Sequence, residues 1–216
     1  MKKYNIGLIR VVSGMSDDLL NLHGKLLEEY FSDFRVVSKA IPDQPEGIHD
    51  EQTEMLATPK VIELAKSWSG IDAIIVSCAG DPGVVELRKI IDIPVIGAGE
   101  STALLARRYG TKYGVLGLTK ELPNSYRTIL GENIVGEYHV PGIETTLDLM
   151  KQDGRDKVIK QAKRLKDLGA EVIAIACTGM ATIKIAKELE GIIDIPVIDP
   201  VIAEGTVAHF ESLRRS

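Results

Sequence analysis

Residues 71–83 have the sequence Ile71-Asp72-Ala73-Ile74-Ile75-Val76-Ser77-Cys78-Ala79-Gly80-Asp81-Pro82-Gly83. The run Ile74-Ile75-Val76 is apolar without alternation, which is typical of a strand covered on both faces in a parallel sheet. The strand leads into a cysteine, and glycine and proline then predict a turn. We therefore predict a buried parallel strand that ends on Cys78.

The same pattern occurs again in the second half of the chain, as Ala170-Glu171-Val172-Ile173-Ala174-Ile175-Ala176-Cys177-Thr178-Gly179. A further match follows each copy, because residues 90–96 and residues 192–198 both have the sequence Ile-Ile-Asp-Ile-Pro-Val-Ile. The chain contains 2 cysteines, and each stands at the same place in its repeat. The repetition predicts two related α/β lobes, each with one thiol at the carboxyl end of a strand.

Composition is that of a globular protein without a polyanionic partner. The 216 residues are 44% hydrophobic, enough to bury one large core or two smaller ones. Basic side chains number 26 and acidic ones 31, no basic run occurs, and we expect no nucleic-acid partner. No stretch approaches the ~18 apolar residues of a membrane helix, and the N-terminus does not resemble a signal peptide. We expect no membrane partner, a cytoplasmic location and free thiols.

Strands and helices alternate along the chain, which predicts parallel sheets built from βαβ units. Besides the two cysteine strands, strands are predicted at residues 4–12, 35–38, 113–119 and 133–138, and one near Pro94. Helices are predicted from Ser16, at residues 82–88, 101–109, 123–130 and 202–213, and from about Thr145 to Gly169. The segments 41–51 and 139–144 contain turn-forming residues and are predicted loops.

Two helices carry more specific predictions. The helix from Ser16 has a predicted buried stripe at helical spacing, formed by Leu19, Leu22, Leu26 and Tyr30. His23 is assigned to the exposed surface of that helix. Thr58 and Pro59 predict the N-cap and the first position of a helix that ends at Gly70.

The repeat also sets the expected domain boundaries. Lobe 1, which carries Cys78, is expected to comprise residues 1–98 together with 200–216, because the last helix is expected to cross back onto it. Lobe 2, which carries Cys177, is expected to comprise residues 99–199.

The two thiols are the strongest candidates for chemistry. Ligands of open parallel sheets bind beyond the carboxyl ends of the strands, where Cys78 and Cys177 are both predicted. A helix is expected to begin after each cysteine, and its free amides and dipole would stabilise a thiolate or an oxyanion. Two opposed thiols suit stereoinversion next to a carbonyl, because one thiolate removes a proton while the other thiol delivers one. A buried structural role and a disulfide are the alternatives.

Other residues are candidates for binding. The predicted substrate contacts are the backbone amides and hydroxyls of Ser13, Ala79, Gly80, Thr119, Thr178 and Gly179. Asp81 either binds substrate or caps the helix predicted at Pro82. Arg10 needs a partner or a ligand because it is charged within a buried strand. His49 and His139, in equivalent loops, are weaker candidates, and no histidine has metal-ligand spacing.

The motifs Ser77-Cys78-Ala79-Gly80-Asp81-Pro82-Gly83 and Ala176-Cys177-Thr178-Gly179-Met180 resemble those of the aspartate/glutamate/hydantoin racemase superfamily. The Cys-x-Gly-Asp-Pro-Gly form is most similar to hydantoin racemases, and residues 48–51 resemble the corresponding loop there. The resemblance covers essentially the whole chain. It implies an α/β fold of two pseudo-symmetric flavodoxin-like lobes, each a mainly parallel four-stranded sheet flanked by helices, with the active site in the inter-lobe cleft.

The resemblance also implies an isomerase that works without a cofactor or a metal, by proton transfer through Cys78 and Cys177. One departure concerns the loop after the first strand, where Arg10-Val11-Val12-Ser13-Gly14 replaces the Asn-Pro-Asn-Thr type usual in hydantoin racemases. The substrate is therefore less closely specified than the mechanism.

Several functions stay open on the sequence. The motifs around the cysteines contain no lysine or arginine, which favours a neutral or singly charged small-molecule substrate such as a 5-substituted hydantoin. Arg10 and Lys120 are the cations that count against this interpretation. An aspartate or glutamate racemase is the alternative. A diacid cis–trans isomerase also fits two cysteines, whereas an arylmalonate decarboxylase uses one. A non-catalytic small-molecule binding protein on the same fold is the competing class, and a homo-oligomer is possible in each case.

Overall fold

The structure is a computed structural model that describes residues 3–119, 121–146, 148–151 and 153–215. The chain divides into two compact units. The first unit contains the residues up to Ala98 and the C-terminal segment from Val201, and the second contains Gly99–Pro200.

Strands and helices alternate through both units. In chain order the elements are β1 (Tyr4–Arg10), α1 (Asp17–Tyr30), β2 (Phe34–Ala40), α2 (Glu51–Lys66), β3 (Ala73–Val76), α3 (Val84–Leu87), β4 (Val95–Gly97), α4 (Ala98–Ala106), β5 (Tyr113–Gly117), α5 (Asn124–Leu130), β6 (Ile134–Val135), α6 (Gly154–Asp167), β7 (Val172–Ala176), α7 (Gly179–Thr182), α8 (Ile185–Ile193), β8 (Val197–Ile198) and α9 (Pro200–Arg214). Short 3₁₀ turns lie at Gly131–Asn133 and Asp148–Met150.

Each unit contains one parallel sheet with the same strand order. The first sheet has the order β2-β1-β3-β4 and the second the order β6-β5-β7-β8. The two cysteine strands, β3 and β7, occupy the same interior place in their sheets. The predicted α/β fold with two four-stranded parallel sheets is confirmed.

The buried cores follow from the apolar strands. In the first unit α2 and α3 pack on the sheet, with Ile74 and Val76 of β3 among the buried residues. In the second unit α6 and α8 pack around β5 and β7, with Ile173 and Ile175 in the centre. Burial of one such side chain stabilises the fold by about 1.5–3 kcal/mol, so these runs fix the strands inside the sheets.

Helix α1 buries a different face from the one predicted. Its buried residues are His23, Gly24, Leu26 and Leu27, whereas Leu19 and Tyr30 are 44% and 57% exposed. The assignment of His23 to the surface is wrong, since its side chain is fully buried. The helix is rotated because a hydrogen bond satisfies the buried imidazole, and because Gly24 allows close packing against Val36 and Ser38 of β2.

Two predicted helix starts are also wrong. Helix α2 begins at Glu51, with Asp50 as N-cap in a capping box with Thr53, and Pro59 lies inside the helix. The capping bonds satisfy the amides of the first turn, so the helix begins ahead of the proline, which removes one hydrogen bond in the helix interior. Helix α6 begins at Gly154 and not near Thr145, because the Asp148 carboxylate accepts bonds from the Glu144 and Thr145 amides and closes a turn there.

Several strands are shorter than predicted: β1 ends at Arg10, β5 at Gly117, and β6 spans only Ile134–Val135. Within the described ranges, no helix combines the length and the hydropathy that crossing a bilayer would require.

Candidate active site

Cys78 lies in a sharp turn at the carboxyl end of β3. The strand ends at Val76 and not at the cysteine, because the Cys78 amide donates back to the Val76 carbonyl at 2.8 Å and closes a three-residue γ-turn centred on Ser77. The Cys78 carbonyl then accepts from the Asp81 amide at 3.1 Å. Cys78 is not part of a disulfide and is 9% exposed. We call residues 76–81, together with Glu54, the Cys78 half-site.

Cys177 lies in a similar turn in the second unit. Strand β7 ends at Ala176, and the Cys177 carbonyl accepts from the Met180 amide at 3.1 Å, as Cys78 does from Asp81. Cys177 is not part of a disulfide, and its side chain is half-buried. We call residues 175–180, together with Thr146, the Cys177 half-site.

Both half-sites bring a glycine against the sulfur atom. A β-carbon built on Gly80 would lie 3.8 Å from the Cys78 Sγ, and one on Gly179 would lie 3.3 Å from the Cys177 Sγ. Each glycine therefore keeps the space beside its thiol open. The duplication of the sequence is thus also a duplication of the turn that presents a thiol.

The sequence that forms these two turns can be compared with known proteins. A model of the Asp/Glu/hydantoin racemase family matches residues 25–205, a span that includes both cysteines. The chain belongs to the Asp/Glu/hydantoin racemase family. The predicted family is therefore confirmed, and with it the isomerase class.

Individual members of the family support the assignment. A hydantoin racemase of a Pseudomonas species is 32% identical over 185 residues, covering 80% of this chain and 72% of that enzyme. An allantoin racemase from Klebsiella pneumoniae superposes with a TM-score of 0.83 at 22% identity, over 96% of this chain and 87% of that one. A glutamate racemase from Bacillus anthracis superposes with a TM-score of 0.75 at 16% identity, over 100% and 84% of the two chains. The two structures confirm the fold.

The amides beside Cys78 are available to a ligand. Within the described part of this racemase, the backbone N–H groups of Ala79 and Gly80 have no hydrogen-bond acceptor. The predicted helices after the cysteines are short: α3 begins only at Val84, and α3 and α7 have 4 residues each. The amides of the turn itself, more than a helix dipole, are therefore the donors that face an anion here.

A different side chain lies near the glycine of each half-site, and neither side chain was among the residues predicted from the sequence. The Glu54 Oε2 lies 3.8 Å from the position of a Gly80 β-carbon, and the Thr146 Cγ2 lies 2.6 Å from that of Gly179. Burial raises the pKa of Glu54, and Glu51 and Glu86 raise it further. The Cys78 half-site therefore contains a carboxyl group where the Cys177 half-site has a threonine methyl group.

A buried polar chain lies directly behind Cys78. The His23 Nδ1 is 2.9 Å from the Ser77 Oγ, and Ser77 donates to the Glu204 Oε1 at 2.8 Å. All three side chains are essentially inaccessible to solvent. Burial, followed by the charge of Arg10, holds the pKa of His23 well below its usual value, so the imidazole is neutral.

The second unit has a simpler arrangement behind its cysteine. Ala176 occupies the place of Ser77, and the residue before Cys177 therefore has no hydroxyl group. Fully buried Tyr126 of α5 donates its hydroxyl to the Ile175 carbonyl at 2.8 Å. The Tyr126 hydroxyl thus bonds the main chain of β7 near the end of the strand.

Ser13 and Thr119 hold loops in place. The Ser13 Oγ accepts from the Gln44 amide at 2.8 Å, and the Thr119 hydroxyl donates to the Glu121 carbonyl at 2.7 Å. Arg10 is 8% exposed and donates to the Leu19 carbonyl at 2.9 Å, which provides the partner that its burial requires.

The remaining candidates have mixed placements. Asp81 does not cap α3, whose N-cap is Gly83 without a side-chain hydrogen bond. Its carboxylate instead packs beside Gly97, where a β-carbon would lie 2.3 Å from the Asp81 Oδ1. The His49 Nε2 is 3.7 Å from the Asp50 carboxylate.

His139 forms an isolated bridge with Gly117 of β5. Lys120 lies outside the described residues. Among those that are described, no cluster of three or more His, Cys, Asp or Glu side chains could hold a metal ion.

Proposed function

We propose that this protein racemises 5-substituted hydantoins by proton transfer through Cys78 and Cys177, without a cofactor. The observation that supports it most is the duplicated turn, which places a cysteine outside any disulfide beside a glycine in each unit. The family membership gives the reaction class, and the similarity to a relative named hydantoin racemase supports the substrate class.

The proposed mechanism uses the two thiols in opposite protonation states. A thiolate removes the proton from C5 of the hydantoin ring, and the electron pair moves into the adjacent carbonyl to form an enolate. The other cysteine, as a thiol, then delivers its proton to the opposite face of C5, which yields the enantiomer and leaves the thiolate on the second sulfur. The free amides of Ala79 and Gly80 would donate to the enolate oxygen. Gly179 would contribute likewise.

The charges of the half-sites favour a neutral ring over a dicarboxylic amino acid. Residues 77–83 and 176–180 contain no lysine or arginine, and the guanidinium of Arg10 is buried and bonded to a main-chain carbonyl. The Glu54 carboxylate lies near Gly80 in the Cys78 half-site, where it would repel a substrate carboxylate. Aspartate and glutamate racemisation is therefore the less favoured alternative.

The hydantoin class includes allantoin, which is a hydantoin with a ureido group at C5. The allantoin racemase that superposes on this chain is too distant in sequence to assign a substituent. The experiment must therefore vary the C5 substituent as well as the substrate class.

The test is proton NMR in deuterated water with single enantiomers of 5-isopropylhydantoin, allantoin, aspartate and glutamate. We expect deuterium incorporation at C5 together with loss of optical rotation for a hydantoin. Cys78→Ser and Cys177→Ser should each slow racemisation by about 10²- to 10⁴-fold, the usual contribution of a general acid or base. Turnover of aspartate or glutamate alone would contradict the proposed substrate class, and full activity in either variant would contradict the mechanism.

A further inference from the structure

Three elements of the first unit meet in one buried hydrogen-bonded chain. His23 comes from α1, Ser77 follows β3, and Glu204 comes from α9. The exposed fractions of the three residues are 0%, 2% and 0%. Burial of such polar groups is costly unless they are bonded to one another, so the chain is a fixed part of the structure.

The direction of the hydrogen bonds follows from Ser77. Its hydroxyl has one hydrogen, which is donated to the Glu204 Oε1. The Ser77 Oγ must therefore accept from the His23 Nδ1–H, at 2.9 Å. Ser77 is thus held on two sides, by a donor on α1 and an acceptor on α9.

Ser77 is also the central residue of the γ-turn that closes between Cys78 and Val76. Its side chain therefore anchors the backbone at the place where the chain bends to present the thiol. A reacting group displaced by about 1 Å loses up to about 10²-fold in rate, so an anchor one residue away has a measurable effect on catalysis.

We propose that His23, Ser77 and Glu204 are positioning residues that hold the γ-turn and so place the Cys78 thiol for proton transfer. This inference rests on the proposed function. The Cys177 half-site has Ala176 at the position of Ser77, so the anchor acts on one thiol only.

The test uses variants that keep a single thiol. Cys177→Ser leaves Cys78 as the base, and such a chain exchanges the C5 hydrogen of the enantiomer that faces Cys78 without inverting it. Cys78→Ser does the same through Cys177. Ser77→Ala is then added to each of these two single-thiol variants. We expect the rate of exchange through Cys78 to fall by about 10- to 100-fold with little change in KM. Exchange through Cys177 should stay unchanged.

A second measurement, the rate of cysteine modification, does not depend on the substrate. Iodoacetamide modification, followed for each cysteine by peptide mass spectrometry, should be several-fold faster at Cys78 in Ser77→Ala, because the thiol is released from a buried turn. The rate at Cys177 should not change. If neither single-thiol background exchanges any hydantoin, the proposed function fails, while faster modification of Cys78 alone would still support the anchor.

A matched pair of variants separates the anchor from a loss of folding. His23→Asn keeps a donor at the position of Nδ1, and His23→Leu keeps the volume without a donor. We expect His23→Asn to retain most of the Cys78-dependent exchange and His23→Leu to lose it. Equal exchange in the two variants, or an equal loss at both thiols in Ser77→Ala, would overturn the inference.

Discussion

The Cys78 and Cys177 half-sites share a turn and differ in what surrounds it. In both, the cysteine carbonyl accepts from the amide three residues on, and a glycine faces the sulfur. Behind Cys78, however, a fully buried chain of ionisable and polar side chains joins three elements, whereas an alanine precedes Cys177 and the Tyr126 hydroxyl donates to a main-chain carbonyl near the end of that strand. Glu54 stands beside the first thiol and Thr146 beside the second.

The comparison shows that the two half-sites share the hydrogen bond that closes the turn after the cysteine and differ in the side chains around it. A two-base racemase needs two thiols in similar positions, and the repeated turn supplies them. The same reaction needs one thiol to be ionised while the other is protonated, so unequal surroundings do not conflict with the mechanism. A carboxylate within about 8 Å of Cys78 disfavours its thiolate.

The largest expected effect tests the space beside the two thiols. A β-carbon on Gly179 would lie 2.6 Å from the Thr146 methyl group and 3.3 Å from the Cys177 Sγ, whereas one on Gly80 would make only ordinary contacts at 3.8 Å. We expect Gly179→Ala to lower kcat/KM for a hydantoin by about 100-fold, and Gly80→Ala to lower it by less than about 10-fold. Steady-state polarimetry measures both.

A second substitution controls for the cause of the loss. Thr146→Ser removes the methyl group that Gly179→Ala would strike, so the double variant should recover part of the activity. If the double variant is as inactive as Gly179→Ala, or if the two alanine variants lose equal activity, the proposed difference in space between the half-sites is wrong.

The next effect tests the buried imidazole that distinguishes the Cys78 side. In the folded protein the pKa of His23 is well below 6.5, and in the unfolded chain it is close to the ordinary value. As the pH falls below about 6.5, the unfolded state takes up a proton that the folded state does not, so the free energy of unfolding decreases by up to about 1.4 kcal/mol per pH unit. His23→Asn lacks this dependence.

Urea unfolding between about pH 7 and about pH 5 measures the difference. The stability advantage of the unsubstituted protein over His23→Asn should shrink as the pH falls. Tyr126→Phe, the matched change behind Cys177, should show the same pH dependence as the unsubstituted protein. Parallel curves for His23→Asn and the unsubstituted protein would show that His23 titrates in the folded protein as it does in the unfolded chain, and an advantage that grows as the pH falls would show that the fold raises the pKa of His23.

Much of the fold could be predicted from the sequence because it depends on local patterns. Apolar runs without alternation gave the central strands β3 and β7, and the internal repeat gave the equivalence of the two sheets. Helix starts were predicted less well: Pro59 suggested a first position, but the Asp50 capping box begins α2 earlier. Where the sequence offers two positions at which a helix could begin, the start depends on which capping side chain reaches a free backbone amide.

The surroundings of the thiols could be predicted only in part. Both cysteines and the glycines beside them follow from the motif. His23 and Glu204 do not, because the chain positions that meet at Ser77 are far apart in sequence, and His23 lies on a helix whose apolar stripe indicated a different buried face. The contact between His23 and Ser77 depends on how α1 is rotated about its axis, and this rotation could not be read from the sequence.

The smallest expected effect tests the charge beside Cys78. Glu54→Gln removes a carboxylate that lies near the thiol and keeps the shape of the side chain. Because a nearby negative charge disfavours a thiolate, the pKa of Cys78 should fall and its reaction with iodoacetamide at about pH 7 should become about 2- to 5-fold faster. Thr146→Val, a change of similar shape beside Cys177, should leave the reaction of that thiol unchanged.

The pH dependence of the two modification rates distinguishes charge from access. If Glu54 acts through its charge, Glu54→Gln shifts the profile of Cys78 to lower pH and leaves its plateau at high pH unchanged, since the plateau reports access to the thiolate. A higher plateau with an unshifted profile would mean that the glutamate shields the sulfur sterically. An unshifted profile with an unchanged plateau would mean that Glu54 does not act on the Cys78 thiol, and would leave the buried chain at Ser77 and the Asp81 carboxylate as differences in charge between the half-sites.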